Sequence, residues 1–137
     1  MIEMKIEGVD EVIAAIEKWE GVTIQALTKA VDETKEDLLS KSQKLAPHDK
    51  GDLEGSGTPG DTIADMNKRE ISATVGFHRV YAARMHESYY TPGPITASQP
   101  SVDGMRPGRK YLERPLVYYF PAYVKSWADA IRAVTGG

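Results

Sequence analysis

Residues 70–77 read EISATVGF. Ile71, Ala73, Val75 and Phe77 alternate with Ser72, Thr74 and Gly76. A period of two places the first set on one face of a strand and the second on the other. One apolar face must be covered, so the neighbouring stretches decide the fold. Just upstream, Thr62 to Met66 is a weaker strand-like run, and Asn67-Lys68-Arg69 can turn between the two to form a hairpin. Near the N-terminus Glu3 to Glu7, EMKIE, alternates in the same way and is expected to form a short edge strand.

The cover comes from helices. Asp10 is a suitable N-cap for a helix to about Glu20, with Val12, Ile13, Ile16 and Trp19 on one face. Gly21 breaks it. From Val22 to Leu45 the apolar positions Ile24, Leu27, Val31, Leu38 and Leu45, with Ala30, Thr34 and Ser42 in the same stripe, follow a helical period. Lys29, Asp32, Glu33, Glu36 and Lys44 occupy the opposite face. Burial of each large apolar side chain is worth about 1.5–3 kcal/mol, so packing on a sheet stabilises a helix that would be marginal alone. At the other end Leu112, Leu116, Tyr119, Tyr123, Trp127, Ile131 and Val134 mark a C-terminal helix. Pro115 suits its first turn, whereas Pro121 predicts a kink or break near Phe120. A short helix is expected over about 80–87.

The fold class that results is α+β. A small antiparallel sheet of about three or four strands is packed by a long helix in the N-terminal half and a kinked C-terminal helix. The 137 residues make one domain, 1–137, with two loops expected to be mobile, about 46–61 and 91–109. The second holds four prolines and three glycines and shows no period. Ile95, Val102 and Met105 are too few to offset the entropy of ordering it, so neighbouring subunits are the expected source of any order.

Composition narrows the chemistry. The chain has no cysteine, which removes disulfides, thiolate metal sites and cysteine nucleophiles and suits an intracellular product. No apolar run approaches a membrane span, and the acidic N-terminus, without an apolar core, does not read as a signal peptide. Residues 1–77 hold 9 basic and 16 acidic side chains, and residues 78–137 hold 8 and 4. An acidic half and a basic half favour contact between unlike faces of two copies over nucleic-acid binding.

Catalytic motifs fail on context. Gly55 to Gly60, GSGTPG, matches G-x-G-x-x-G in form, but a helix precedes it and a strand-like run follows, the reverse of a dinucleotide site. Asp61 stands where a P-loop needs lysine. In residues 78–90, HRVYAARMHESYY, His86-Glu87 lacks the second histidine of H-E-x-x-H, because Tyr90 stands there. The carboxylates Asp49, Asp52, Glu54 and Asp61 lack calcium-loop spacing. The expectation is no catalytic, cofactor or metal residue. The competing class is a small metal-dependent or acid–base enzyme using His48, His78, His86 and Glu87, and a third is a binding module for some other protein. Within the histidine stretch, Tyr81, Ala82 and Met85 are expected to pack on the long helix and Arg84, His86 and Glu87 to make polar contacts at its rim. On that expectation Tyr81→Ala destabilises the fold.

Three short motifs occur in order. Ala46-Pro47, Gly51, Leu53 and Ser56 fit A-P-x-x-x-G-x-L-x-x-S. Tyr81-Ala82 with His86-Glu87 fits Y-A-x-x-x-H-E. Tyr111-Leu112 with Pro115-Leu116 fits F/Y-L-x-x-P/A-L. Over about residues 8–134 the chain resembles the small neck or minor tail-component proteins of long-tailed bacteriophages. It departs from them in Ser88-Tyr89-Tyr90 after Glu87, in place of Phe-Gly, and in its long proline-rich loop. The resemblance implies a non-enzymatic ring subunit in the virion, at the head–tail junction, assembled in the host cytoplasm. Neck, head–tail joining, tail-completion, tail-terminator and minor-capsid positions stay open. The implied partners are further copies of itself, portal-proximal connector or tail-tube proteins, and double-stranded DNA passing an acidic lumen unbound, with no membrane. Tyr81, Arg84, Glu87, Arg106, Arg109 and Lys110 are the expected subunit-interface residues, the last three meeting the acidic half of another copy.

Overall fold

A computed structural model describes residues 2–6, 21–47, 52–65, 70–79, 81–90 and 92–135. In chain order the elements are β1 (Ile2–Ile6), α1 (Gly21–Leu45), α2 (Asp52–Gly55), β2 (Gly57–Pro59), β3 (Ile63–Asp65), β4 (Glu70–Phe77), α3 (Ala82–Glu87), α4 (Pro94–Ser98) and α5 (Glu113–Thr135). The expected Asp10 helix, His48, Asp49 and the Asn67–Arg69 turn lie outside the described residues.

The strand that opens the sequence argument is the centre of the sheet. β1 pairs antiparallel along one side of β4, with Ile2 opposite Phe77 and Ile6 opposite Ala73. β2 and β3 pair one after the other along its second side. Pro59 faces Val75 and Ile63 faces Ser72, so four steps on one chain oppose three on the other. The extra residue is a bulge at 60–62, pinned from α1. The Lys35 ammonium, buried against Asp32 at 2.7 Å, donates to the Gly60 carbonyl at 2.9 Å. The Thr62 hydroxyl donates to Asp32 at 2.7 Å. Those contacts hold the Asp32 carboxyl below its usual range, Lys35 foremost and Thr62 next.

Ile71, Ala73, Val75 and Phe77 face the core, as their alternation requires. α1 covers them with Leu27, Val31, Leu38 and Leu45, each fully buried. α5 lies along α1 and adds Tyr123 and the fully buried Trp127. The two helices are joined by polar contacts inside this apolar seam. The Trp127 indole donates to Thr34 Oγ1 at 3.2 Å, and Thr34 donates on to the Val31 carbonyl. The Tyr123 hydroxyl donates to Asp37 at 2.7 Å. Burial, then the hydrogen bond to Asp37 and the charge of that carboxylate, raises the Tyr123 phenol well above its ordinary pKa.

Three local expectations change. The break near Phe120 does not occur, because α5 runs on through Pro121. The hydrogen bond that proline removes falls on the Val117 carbonyl, and both residues are on the exposed side, where water can take its place. The stretch 46–61 is not all loop. Leu53 is buried and anchors α2, and β2 joins the sheet. Gly57 permits this, since a Cβ there would stand 2.9 Å from the Phe77 ring. Nor is 91–109 structureless. It forms α4, and Val102 and Met105 exchange two backbone hydrogen bonds of 2.9 Å across Asp103-Gly104. Both turn residues have positive φ, the conformation an Asp-Gly pair favours.

Candidate interaction site

The segment from α3 to the start of α5 closes the ends of both long helices. The last carbonyls of a helix and its first N–H groups have no partner within it. At the C-terminal end of α1, the Gly108 N–H donates to the Leu45 carbonyl at 2.9 Å. The Gln99 amide donates to the carbonyls of Lys44 and Ala46, each at 3.2 Å. The contacts that hold 92–109 to the end of α1 are therefore polar, which its few apolar residues could not disclose.

At the N-terminal end of α5 the partner is His86. Its ring is fully buried and packs edge-on against Tyr111 at 5.0 Å. Nε2 accepts the Glu113 N–H at 3.1 Å, so the proton sits on Nδ1, which donates to Glu87 Oε1 at 2.8 Å. Burial holds the imidazole below its ordinary pKa, and the Glu87 hydrogen bond and charge work against that. Three further bonds tie the joint. The Lys110 N–H donates to the His86 carbonyl at 2.8 Å, the Tyr111 hydroxyl to the Ala82 carbonyl at 2.8 Å, and the Arg109 Nε to the Glu87 carbonyl at 2.9 Å. Lys110 takes a left-handed φ of 59° and pairs its ammonium with Glu87 and Glu113. Those pairs lower the Glu87 pKa, through Lys110 first and His86 next, and raise that of Lys110.

The expected interface residues fall in and around this joint, and most are engaged within their own chain. Tyr81 packs half-buried on the core. Arg106 donates to the Ala97 carbonyl at 2.6 Å and to Ser101 at 3.0 Å. The Arg109 guanidinium lies 3.9 Å from the centre of the Tyr89 ring. Glu87 and Lys110 pair with each other. Arg84 is exposed, and its guanidinium has no partner among the described residues. His86 is not at the rim, as the sequence led us to expect, but at the centre.

Both nitrogens of His86 are committed to hydrogen bonds, and His78 Nε2 meets the Thr58 hydroxyl across β2 and β4. Among the described residues no group of three or more His, Asp or Glu side chains could hold a metal ion. None of their helices is long and apolar enough to cross a membrane. GSGTPG runs from the end of α2 into β2 and opens no helix. Beside the joint, between α3 and α4, lies a groove of about 710 Å³ lined by Met85, Tyr90, Pro92 and Ile95. The Tyr90 hydroxyl donates to the Met85 carbonyl at 2.8 Å, and burial pushes its pKa up to about 12. Glu113, Gln99 and this groove carry no signal in the sequence, because each depends on parts of the chain brought together from afar. Compared with protein-family models, curated proteins and solved structures, the chain gives no significant match in any of the three.

Proposed function

We propose that the chain is a non-enzymatic, ring-forming structural subunit of a tailed-phage virion, acting in the neck, in head–tail joining or in tail completion. The observation that supports this best is that the second and third motif segments meet beside the end of α1, where the first one begins. Ala46 and Leu45, at the end of α1, are capped by Gln99 and Gly108. Ala82 and His86 hold Tyr111 and Glu113. Residues far apart in sequence thus build a single joint. A joint made of backbone caps and a buried neutral imidazole positions helices and leaves no free nucleophile or acid–base pair among them. The basic composition of residues 78–137 and the acidic composition of the first half suit contact between successive copies in a ring.

Electron microscopy of lysates from the phage, with this gene deleted, tests the proposal. DNA-filled heads lying apart from finished tails are the expected result. Tails of uncontrolled length would shift the role to tail terminator, and defective heads to minor capsid protein. Normal infectious particles would overturn the structural role. Stoichiometric zinc in the purified protein would restore the His/Glu enzyme class.

A further inference from the structure

The groove between α3 and α4 is apolar in its larger side chains, and the exposed Arg84 also lines it. The opposite chemistry stands at the other end of α1. There Ile63, on the edge strand β3, is 57% exposed. Asp61 beside it is exposed and has no partner among the described residues. Ile63 and Asp65 share the face away from the core, where Asp65 lies opposite Glu70. The result is one large exposed apolar side chain flanked along the strand by Asp61 and Asp65.

These two surfaces cannot meet within one copy. Thr62 and Ala64 border Thr28 on α1, while the groove begins at Pro47, just past its end. From Thr28 to Leu45 the helix spans about 25 Å. Between copies nothing separates them. We propose that the β3 edge of one copy seats in the α3–α4 groove of the next, with Ile63 entering the groove and Asp61 facing Arg84. This contact rests on the ring-subunit role proposed above and names the surfaces that would make it. It is head-to-tail, so successive copies close into a ring when the rotation between them divides a full turn. An apolar side chain in a pocket would supply most of the affinity, and the charges around it the register and the exclusion of wrong partners.

The chain has no cysteine, so introduced ones report contact without background. Ile63→Cys and Ile95→Cys are made separately, checked for native circular dichroism, mixed at high concentration and oxidised, with sedimentation run in parallel. The mixed disulfide is expected to exceed both homodimers. The double variant should give a ladder of higher oligomers on a non-reducing gel. Arg84→Glu should cut the mixed product at least tenfold, and Asp61→Arg should restore part of it. Assembly seen by sedimentation, with cross-linking no better than from Ile63→Cys to an exposed control, Lys125→Cys, overturns this contact and leaves the ring role standing. No assembly and no mixed disulfide at any concentration also overturns it. The deletion phenotype then decides the ring role independently.

Discussion

The two long helices are held along their length by one kind of interaction and at their ends by another. Along the seam of α1, α5 and β4 the contacts are mainly apolar, with Leu27, Val31, Leu38, Val75, Phe77 and Trp127 fully buried and two side-chain hydrogen bonds, Trp127 to Thr34 and Tyr123 to Asp37, set among them. At the ends the contacts are polar and reach the backbone, through Gly108, Gln99, His86 and Lys110. The seam gives stability in proportion to area, without strong direction. The ends give direction, because each hydrogen bond fixes a donor, an acceptor and an angle.

Substitutions can separate the two. Trp127→Ala should cost the most, about 3–5 kcal/mol by urea denaturation, because it empties the seam and removes the indole bond to Thr34. A smaller loss would mean that α5 is held chiefly by its end. His86→Leu should cost about 1–3 kcal/mol, the penalty of leaving the Glu113 N–H without an acceptor. It should also remove a pH dependence. The folded-state pKa of His86 lies below the value of about 6.5 expected of an unfolded chain. Its stabilising contribution is therefore complete above about pH 6.5 and is lost as pH falls through the folded value. Wild-type stability should decline across that window, and the decline should flatten in His86→Leu. The Glu87 carboxyl, also lowered, acts only in its own window below about pH 4.5, so the two separate.

Two smaller effects sharpen the comparison. Tyr111→Phe keeps the ring against Phe77 and His86 but removes the bond to the Ala82 carbonyl, which should cost about 1 kcal/mol. Ser42→Ala should go the other way. The Ser42 hydroxyl is buried in the seam without a partner among the described residues, so its removal should gain about 0.5–1 kcal/mol in the same urea titration. A loss there would show that the hydroxyl is satisfied after all.

The seam was legible and the ends were not. Every α1 position assigned to the apolar stripe, from Ile24 to Leu45 and including Thr34 and Ser42, is buried. Asp103-Gly104 carried a turn signal of its own, one that the proline-rich composition around it obscured. Pro121 pointed to a kink or a break because the rule for proline concerns the backbone, and the helix runs on without a break because Pro121 faces the exposed side of α5. His86 stood out as a residue but not in its role. A neutral imidazole that accepts from a helix N-terminus looks, in sequence, the same as one poised to bind metal.

By itself the sequence determined the α+β class, the strand at the centre of the sheet and the faces of the helices that cover it. Periodicity encodes these directly, since each residue's direction follows from its own local geometry. Only the tertiary structure decided that residues 92–109 cap α1, that His86 caps α5, and that an apolar groove and an exposed isoleucine stand at opposite ends of one helix. Those features join residues tens of positions apart. Their partners are chosen by where the core places the backbone, and no local pattern records that choice.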